Sequence, residues 1–402
     1  VSLLPDLDSV VIVGRGPAAA ALGRALSRRG TAVTLVGPDA GPPAHTLCAF
    51  ADQVPAEAVA TLFPHTLVAG ARGSLDLDRP YARLDPIVLS RAEGVPTLDA
   101  RVTDIADNVV ATTLGPIAAG AVVDASGPAP VLVRRTSTRP AFQSAFGLIV
   151  DGHDAELPEG TALFMDWRDH GVDDGGPPSF LYALSRGGRL LLEETTLASW
   201  APVPQALLKA RLERRLQRRG TVIDTVVDDE VVEFPMGGGL PGRGQAVAAF
   251  GAALGLVSPV SGYSVASSLA HADVVADAIV AARRTGAVVG DAVLDAVWTR
   301  EARQRRRLQR FALRAACAFS QRDADRFFST FFALPAERWQ GFLDGTDNVV
   351  DVRRTMLALF GAVPGSLRLR LVAGAATADG LAVARDLLAG PPSARFATRS
   401  AT

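Results

Sequence analysis

The stretch SVVIVGRGPAAAALGRALSRRGTAVTLVG, residues 9–37, restricts the possible folds more than any other part of this chain. It reads as an apolar strand, a glycine turn, an amphipathic helix and a second strand, the opening of a parallel α/β sheet. Gly14 permits the tight turn, Gly16 lets backbone approach a pyrophosphate, and Ala19 is small enough for the helix to pack closely on the strand. The N-terminus of that helix offers oriented N–H groups and a positive partial charge to an anion. This context points to dinucleotide binding. The acid expected at the end of the second strand is absent, because Gly37 stands there, and Asp39 is the nearest substitute for holding a ribose. Farther on, AVVDASGPAPVL (121–132) is an apolar strand running into Asp124-Ala-Ser-Gly127. In isolation that reads equally as an aspartate at a turn; beside the N-terminal fingerprint it favours flavin over nicotinamide.

At 402 residues and 48% apolar content, the chain can bury a substantial core in two or three joined units. Its net charge of −1 provides no global attraction to nucleic acid or to an anionic surface. Two lone cysteines, Cys48 and Cys317, make neither a disulfide framework nor a metal site, so a reducing cytoplasm is the expected location. The first residues lack the basic segment of a signal peptide, and no apolar run is expected to reach the roughly eighteen residues of a membrane span. There is no Gly-x-Ser-x-Gly nucleophile turn and no phosphate-binding Walker loop.

Segments 140–151, 160–168, 179–184 and 188–197 read as strands of an antiparallel sheet inserted into the dinucleotide fold. Within LLEETTL (191–197), neighbouring residues of a regular strand point to opposite faces, so Glu193 and Glu194 cannot both enter one cavity. In FMDWRD (164–169), Asp166 and Arg168 are expected to share a face with Phe164 while Trp167 points away into the core. The Asp166–Arg168 pair is either a buried ion pair orienting an acid or a lateral surface pair. Residues 202–220 form a helix with a stripe of Leu207, Leu208, Leu212 and Leu216, its arginines expected in water. Residues 291–345 are helical and rich in arginine, with Leu308, Phe311, Ala312 and Ala315 on one stripe. Phe327, Phe328, Phe331 and Phe332 at helical spacing read first as core, with one face free to line a tunnel as well. A last helix is expected at 377–389 and a disordered end at 391–402.

FMDWRD, PSFLYAL (178–184), LLEETTL, FPMGGGLP (234–241) and the segment 247–280 occur in one order with close spacing. As an ordered set they resemble the flavin-dependent lycopene β-cyclases, the carotenoid ring-closing enzymes of plants, cyanobacteria and actinobacteria, over roughly residues 8–345. The resemblance implies an α/β, Rossmann-type FAD-binding flavoprotein fold with an inserted antiparallel β-sheet substrate domain and a helical C-terminal region. The implied units are 1–135 and 231–285 for FAD, 136–230 for substrate, 286–390 for the helices and 391–402 for a tail.

The implied reaction closes a ring without net redox change. An acid protonates a terminal double bond, the next double bond attacks the cation, and a base removes a proton. Burial keeps such an acid protonated. The resemblance assigns that role to Glu193; alternation leaves Glu194 a supporting role, and Asp166 and Arg168 are candidates to orient the acid if they form a buried pair. It sets Gly237, Gly251, Gly255, Pro259, Gly262 and Tyr263 around the flavin, where the following helix N-terminus would favour an anionic reduced ring. It further implies reduced FAD, NAD(P)H as electron source and a lipophilic polyene substrate; the basic amphipathic helix of 291–345 reads equally as peripheral on the cytoplasmic membrane or as a cap on the core. Two positions depart from the family pattern: Ser258 stands where a histidine is common, and Ser267 where an arginine is common. Alternative readings are a related cyclase on another polyene or prenylated substrate, a flavin hydroxylase or isoprenoid reductase consuming NAD(P)H, and a non-enzymatic polyene-binding protein.

Overall fold

A computed structural model describes residues 9–39, 41, 45–151, 157–171, 174–186, 188–223 and 225–375. The opening fingerprint folds as its periodicity requires. The strand Ser9–Val13 lies at the centre of a five-stranded parallel sheet. It is flanked by Ala32–Gly37 and Ala121–Asp124, with Thr97–Asp99 and Ala248–Ala249 at the edges. Val10 to Val13 are at most 3% exposed, as expected of a strand covered on both faces. Helix Pro17–Ser27 starts with proline in its first turn, where a missing N–H costs nothing. Helix Val265–Thr285 packs along it.

The second sheet has seven strands, in the order Val226–Met236, Ala141–Asp151, Arg189–Thr196, Ser179–Arg186, Thr161–Asp166, His65–Gly70 and Gly73–Asp76. All its pairs are antiparallel except Thr161–Asp166 with His65–Gly70. Segment 1–135, expected to carry the first part of the FAD-binding unit, also contributes two strands to this sheet. One face of this sheet packs on helix Gln205–Arg218. The other meets an aromatic core shared with the helices Arg300–Ala316, Gln321–Phe331, Ala336–Asp344 and Val349–Ala362.

Three expectations are corrected. Arg211 and Arg215 do not lie in water; they are 1% and 2% exposed on the sheet-facing side of their helix, beside Leu208 and Leu212. Each is neutralised there, Arg211 by Asp174 at 2.5 Å and Arg215 by Glu194 at 2.7 Å. Asp166 and Phe164 do not share a face. A bulge between Leu163 and Asp166 breaks the alternation, so Phe164 joins the aromatic core while Asp166 turns to the helix side and Arg219. Helix Val265–Thr285 is long and apolar enough to cross a membrane, with mean hydropathy 1.4. It carries Asp273 and Asp277, however, which pair with Arg28 and Arg29 of the nucleotide-binding unit. The helix expected at 377–389 and the tail at 391–402 lie outside the described residues.

Candidate active site

Strand register assembles the site. Glu193 pairs across the sheet with Gly147 on one side and Tyr182 on the other, and Gly147 pairs in turn with Glu230. Directly paired residues share a face, so Glu230, Gly147, Glu193 and Tyr182 form one row. Glycine keeps that row open: a Cβ at Gly147 would meet Leu191 Cδ1 at 2.8 Å and Glu193 Cβ and Cγ at 3.4 Å. Glu193 and Tyr182 border a cavity of about 410 Å³ walled by Phe164, Phe180, Leu191, Leu197 and Phe328 and closed by the 257–266 loop.

The electrostatics of the row suit an acid. Glu193 is 8% exposed, and burial pushes its carboxyl up to about 7; a hydrogen bond from the Thr195 hydroxyl pulls it down, and the charge of Glu230 pushes it further up. Glu230, itself 2% exposed, accepts hydrogen bonds from Thr46 N–H at 2.7 Å and Thr46 Oγ1 at 2.8 Å. On the same cavity lining, Tyr81 and Tyr263 share a 2.5 Å hydrogen bond, and Tyr182 donates to Tyr81 at 3.4 Å. Burial raises all three phenols above their ordinary value, and it pushes the neighbouring Cys48 thiol up to about 12. This wall stays neutral and presents ring faces and O–H groups. A buried protonated carboxyl in an apolar, aromatic cavity can deliver a proton to a nonpolar substrate and shelter the resulting cation.

Glu194 points the other way, as strand alternation requires. It is fully buried under helix Gln205–Arg218, accepting from Arg215 Nε at 2.7 Å and Nη2 at 2.8 Å and from Ser179 Oγ at 2.6 Å. Asp166 is also fully buried there, held below its ordinary value by Arg168 and Arg219 against the opposing effect of burial. Arg215 also donates to the Arg168 carbonyl, linking the two carboxylates in one network. Glu194, Asp166 and Arg168 thus brace the back of the strand that presents Glu193, and none of them borders the cavity. Trp167 is core, stacked on Phe328 at 4.8 Å, while Phe328 lines the cavity too.

The cofactor candidates divide. Gly14 has φ +120°, and a Cβ there would stand 2.5 Å from the Ala125 carbonyl oxygen. Gly16 caps helix Pro17–Ser27 with open space where a side chain would be, and Ala19 is fully buried beneath. Gly127, at φ +113°, also faces open space. Gly14 and Gly16 therefore keep the cradle that a pyrophosphate needs. Asp39 is exposed, 3.5 Å from Arg15. The two oxygens of Asp124 accept from Ser126 N–H and Oγ and from the N–H groups of Leu132 and Val133, which hold the turn after its strand. Gly237, Gly251 and Gly255 lie against protein. Their close neighbours are Leu313, Ala18 and Leu240, so these glycines allow protein to pack on protein, and Pro259 is buried behind Gly237. Gly262 and Tyr263 do border the cavity, with Gly262 seated on the Phe234 ring. Ser258 caps its own loop, its Oγ accepting from Val260 and Ser261 N–H. The Ser267 carbonyl oxygen is taken by His271.

Glu230, Thr46, Thr195, Tyr81 and Tyr182 are site residues that sequence reasoning missed. Glu230 lies in the charged run VVDDEVVEF, and only register marks it out from its neighbours. No cluster of metal-ligating residues occurs among the described residues.

A family model described as "Lycopene cyclase protein" matches residues 9–369. An uncharacterized carotenoid cyclase of Deinococcus radiodurans is 32% identical, over 96% of this chain and 97% of its own. A lycopene beta cyclase of Synechococcus elongatus is 32% identical over 61% of this chain and 62% of its own. In fold, the chain matches a geranylgeranyl bacteriochlorophyll reductase-like protein of Thermoplasma acidophilum with TM-score 0.66 at 11% identity, covering 90% of this chain and 98% of that one. It also matches a flavoprotein/dehydrogenase of Cytophaga hutchinsonii with TM-score 0.57 at 11% identity, covering 91% and 98%. The architecture is the Rossmann-type flavoprotein fold with an inserted sheet and a helical C-terminal region.

Proposed function

Because this chain belongs to the lycopene cyclase family, we propose that it closes a β-ring at the ψ-end of a lycopene-like polyene, with Glu193 as the proton donor. The observation that carries this reading is the carboxyl of Glu193, buried at an aromatic cavity and pushed up to about 7. A group so placed remains protonated near neutrality and has little solvent competing for its proton. Phe164, Phe180, Leu191 and Phe328 keep water from the cation, which would otherwise be quenched as an alcohol. The charge of Glu230, set behind the side-chain-free Gly147, opposes ionisation of Glu193 before substrate arrives and favours positive charge on the polyene afterwards.

Gly14, Gly16, Ala19 and the N-terminus of helix Pro17–Ser27 fit the pyrophosphate of FAD, and Gly262 and Tyr263, which border the cavity, would hold its ring. Bound in its reduced, anionic form with NAD(P)H as electron source, the flavin would supply negative charge near the cation and exchange no electrons with substrate over the reaction. Membrane contact belongs to the same proposal. A polyene is insoluble in water, and Leu357, Phe360 and Leu369 stand exposed on helices Val349–Ala362 and Gly365–Ala375. Ser258 and Ser267, which remove an imidazole and a guanidinium from the loop and helix start, favour a second reading, a cyclase of the same chemistry acting on another polyene.

The test is expression of the chain and of Glu193→Gln in bacteria that accumulate lycopene, with pigments separated by chromatography and identified by absorbance and mass. The expected result is an isomer of lycopene's mass bearing one or two rings, reduced at least about a hundredfold in the variant. Unchanged lycopene beside a purified, flavin-loaded protein would overturn the lycopene assignment in favour of the second reading.

A further inference from the structure

A second cavity, of about 750 Å³, lies between helix Arg300–Ala316 and the 238–243 loop. Arg300, Arg303, Arg307 and Arg310 follow one another at three- and four-residue steps and so share one helix face, with Arg306 beside them and Arg243 opposite. Asp295 is the single acidic residue in the lining, and it is divided between Arg243 and Arg303. Arg306 is 6% exposed and donates to two carbonyl oxygens, Gly255 at 3.0 Å and Gly238 at 2.8 Å. Its guanidinium stacks over Trp298 at 5.0 Å. Burial, with the charges of Arg310 and Arg135, pushes it down to about 10. Arg303 Nη2 is buried without a hydrogen-bond partner among the described residues.

We propose that this cleft binds a phosphate-bearing ligand, at a site separate from the glycine turn at Gly14 and Gly16. Arg243, Arg300, Arg303, Arg306 and Arg307, gathered around one lining aspartate, repel one another, and a ligand of several negative charges relieves that repulsion. A single carboxylate would leave most of the excess in place; a phosphate or diphosphate presents more charge and the oxygen spacing that guanidinium forks match. The buried Arg306 and the ligand-sized cleft beside it separate this arrangement from an ordinary solvated helix face. A smaller cavity of about 190 Å³ shares Thr136, Gly238, Gly239 and Arg306 with the cleft, and shares Pro128 and Val257 with the Glu193 cavity. A ligand anchored here by its phosphate thus has a path toward the 257–263 loop. The phosphate can belong to a soluble dinucleotide or to an anionic lipid headgroup.

The site does not depend on the cyclase reading, and its test needs no turnover. Titration calorimetry with inorganic pyrophosphate and with NADPH would be run on the whole chain, on Arg300→Gln/Arg307→Gln, whose two positions are exposed, and on Arg306→Lys. Sedimentation with phosphatidylglycerol and phosphatidylcholine vesicles would be run in parallel, and circular dichroism would confirm folding. Binding of pyrophosphate and NADPH that weakens about tenfold or more in the folded double variant supports the site and a soluble source. Binding to phosphatidylglycerol alone, with the same sensitivity to the variants, supports the site and assigns it to a lipid phosphate. No binding of any probe, or binding that the folded variants leave unchanged, overturns the proposal.

Discussion

Gly147 governs how Glu193 and Glu230 act on each other. The two strands carrying them flank its own, which sets their backbones about 10 Å apart with no side chain between. Burial is the larger cause of the raised Glu193 carboxyl, and the charge of Glu230 adds to it. The required form of Glu193 is protonated, so cyclisation should be present below about pH 7 and lost as pH rises through it. The same shift makes Glu193 a cost to folding that grows from about pH 4.5, where the unfolded carboxyl ionises, to about 7. Glu230→Gln removes one cause and leaves the other, so the midpoint of the pH–rate profile should move to lower pH with activity retained on the acid side. An unmoved midpoint in that variant would show that Glu230 does not act through Glu193.

The strand Arg189–Thr196 has two chemical faces, and its back depends on one helix. Glu194 and Arg215 are 0% and 2% exposed at the side chain and satisfy each other. Removing one partner leaves a buried charge, which typically costs about 3–5 kcal/mol. Arg215→Ala should therefore lower the thermal midpoint severely, while Glu194→Leu with Arg215→Met should recover much of the loss. Equal melting of Arg215→Ala and the parent would mean that the pair is not buried in solution. The alternation that separates Glu193 from Glu194 was legible in the sequence, since a period of two is local geometry. The partner of Glu194 was not. Arg215 lies in a helix with arginine on several faces, and which of them turn inward depends on carboxylates contributed by distant strands. The bulge that turns Asp166 away from Phe164 was equally hidden, because it comes from pairing with His65–Gly70 and Ser179–Arg186.

The whole molecule joins a nucleotide-binding unit to a substrate sheet so that one cavity is bordered by both. Its lining draws on residues 45–49, 143–145, 180–197 and 257–266, with Phe328 and Leu343 from the C-terminal helices. The nucleotide side can be tested apart from the acid. Gly16 has open space at its Cβ direction, so Gly16→Val should fold as the parent does yet place a side chain where a pyrophosphate must approach. The purified variant should lose its flavin absorbance while its thermal midpoint, compared in the flavin-free state, stays unchanged. Full flavin retention would remove the glycine turn from cofactor binding.

By itself the sequence determined the elements and their class: the parallel opening unit, the inserted strands, the arginine-rich helices and the division of roles between two adjacent glutamates. Periodicity and turn chemistry act over a few residues, and the ordered motifs carried the family. Only the tertiary structure decided that Glu230 shares a row with Glu193, that Asp124 holds the turn after its strand, and that Gly237, Gly251 and Gly255 lie against protein. It alone gathered six arginines around one cleft, from two segments far apart in the chain. The physical reason is the same in each case: burial and charge pairing depend on which distant surfaces meet, and local sequence does not encode that meeting one residue at a time.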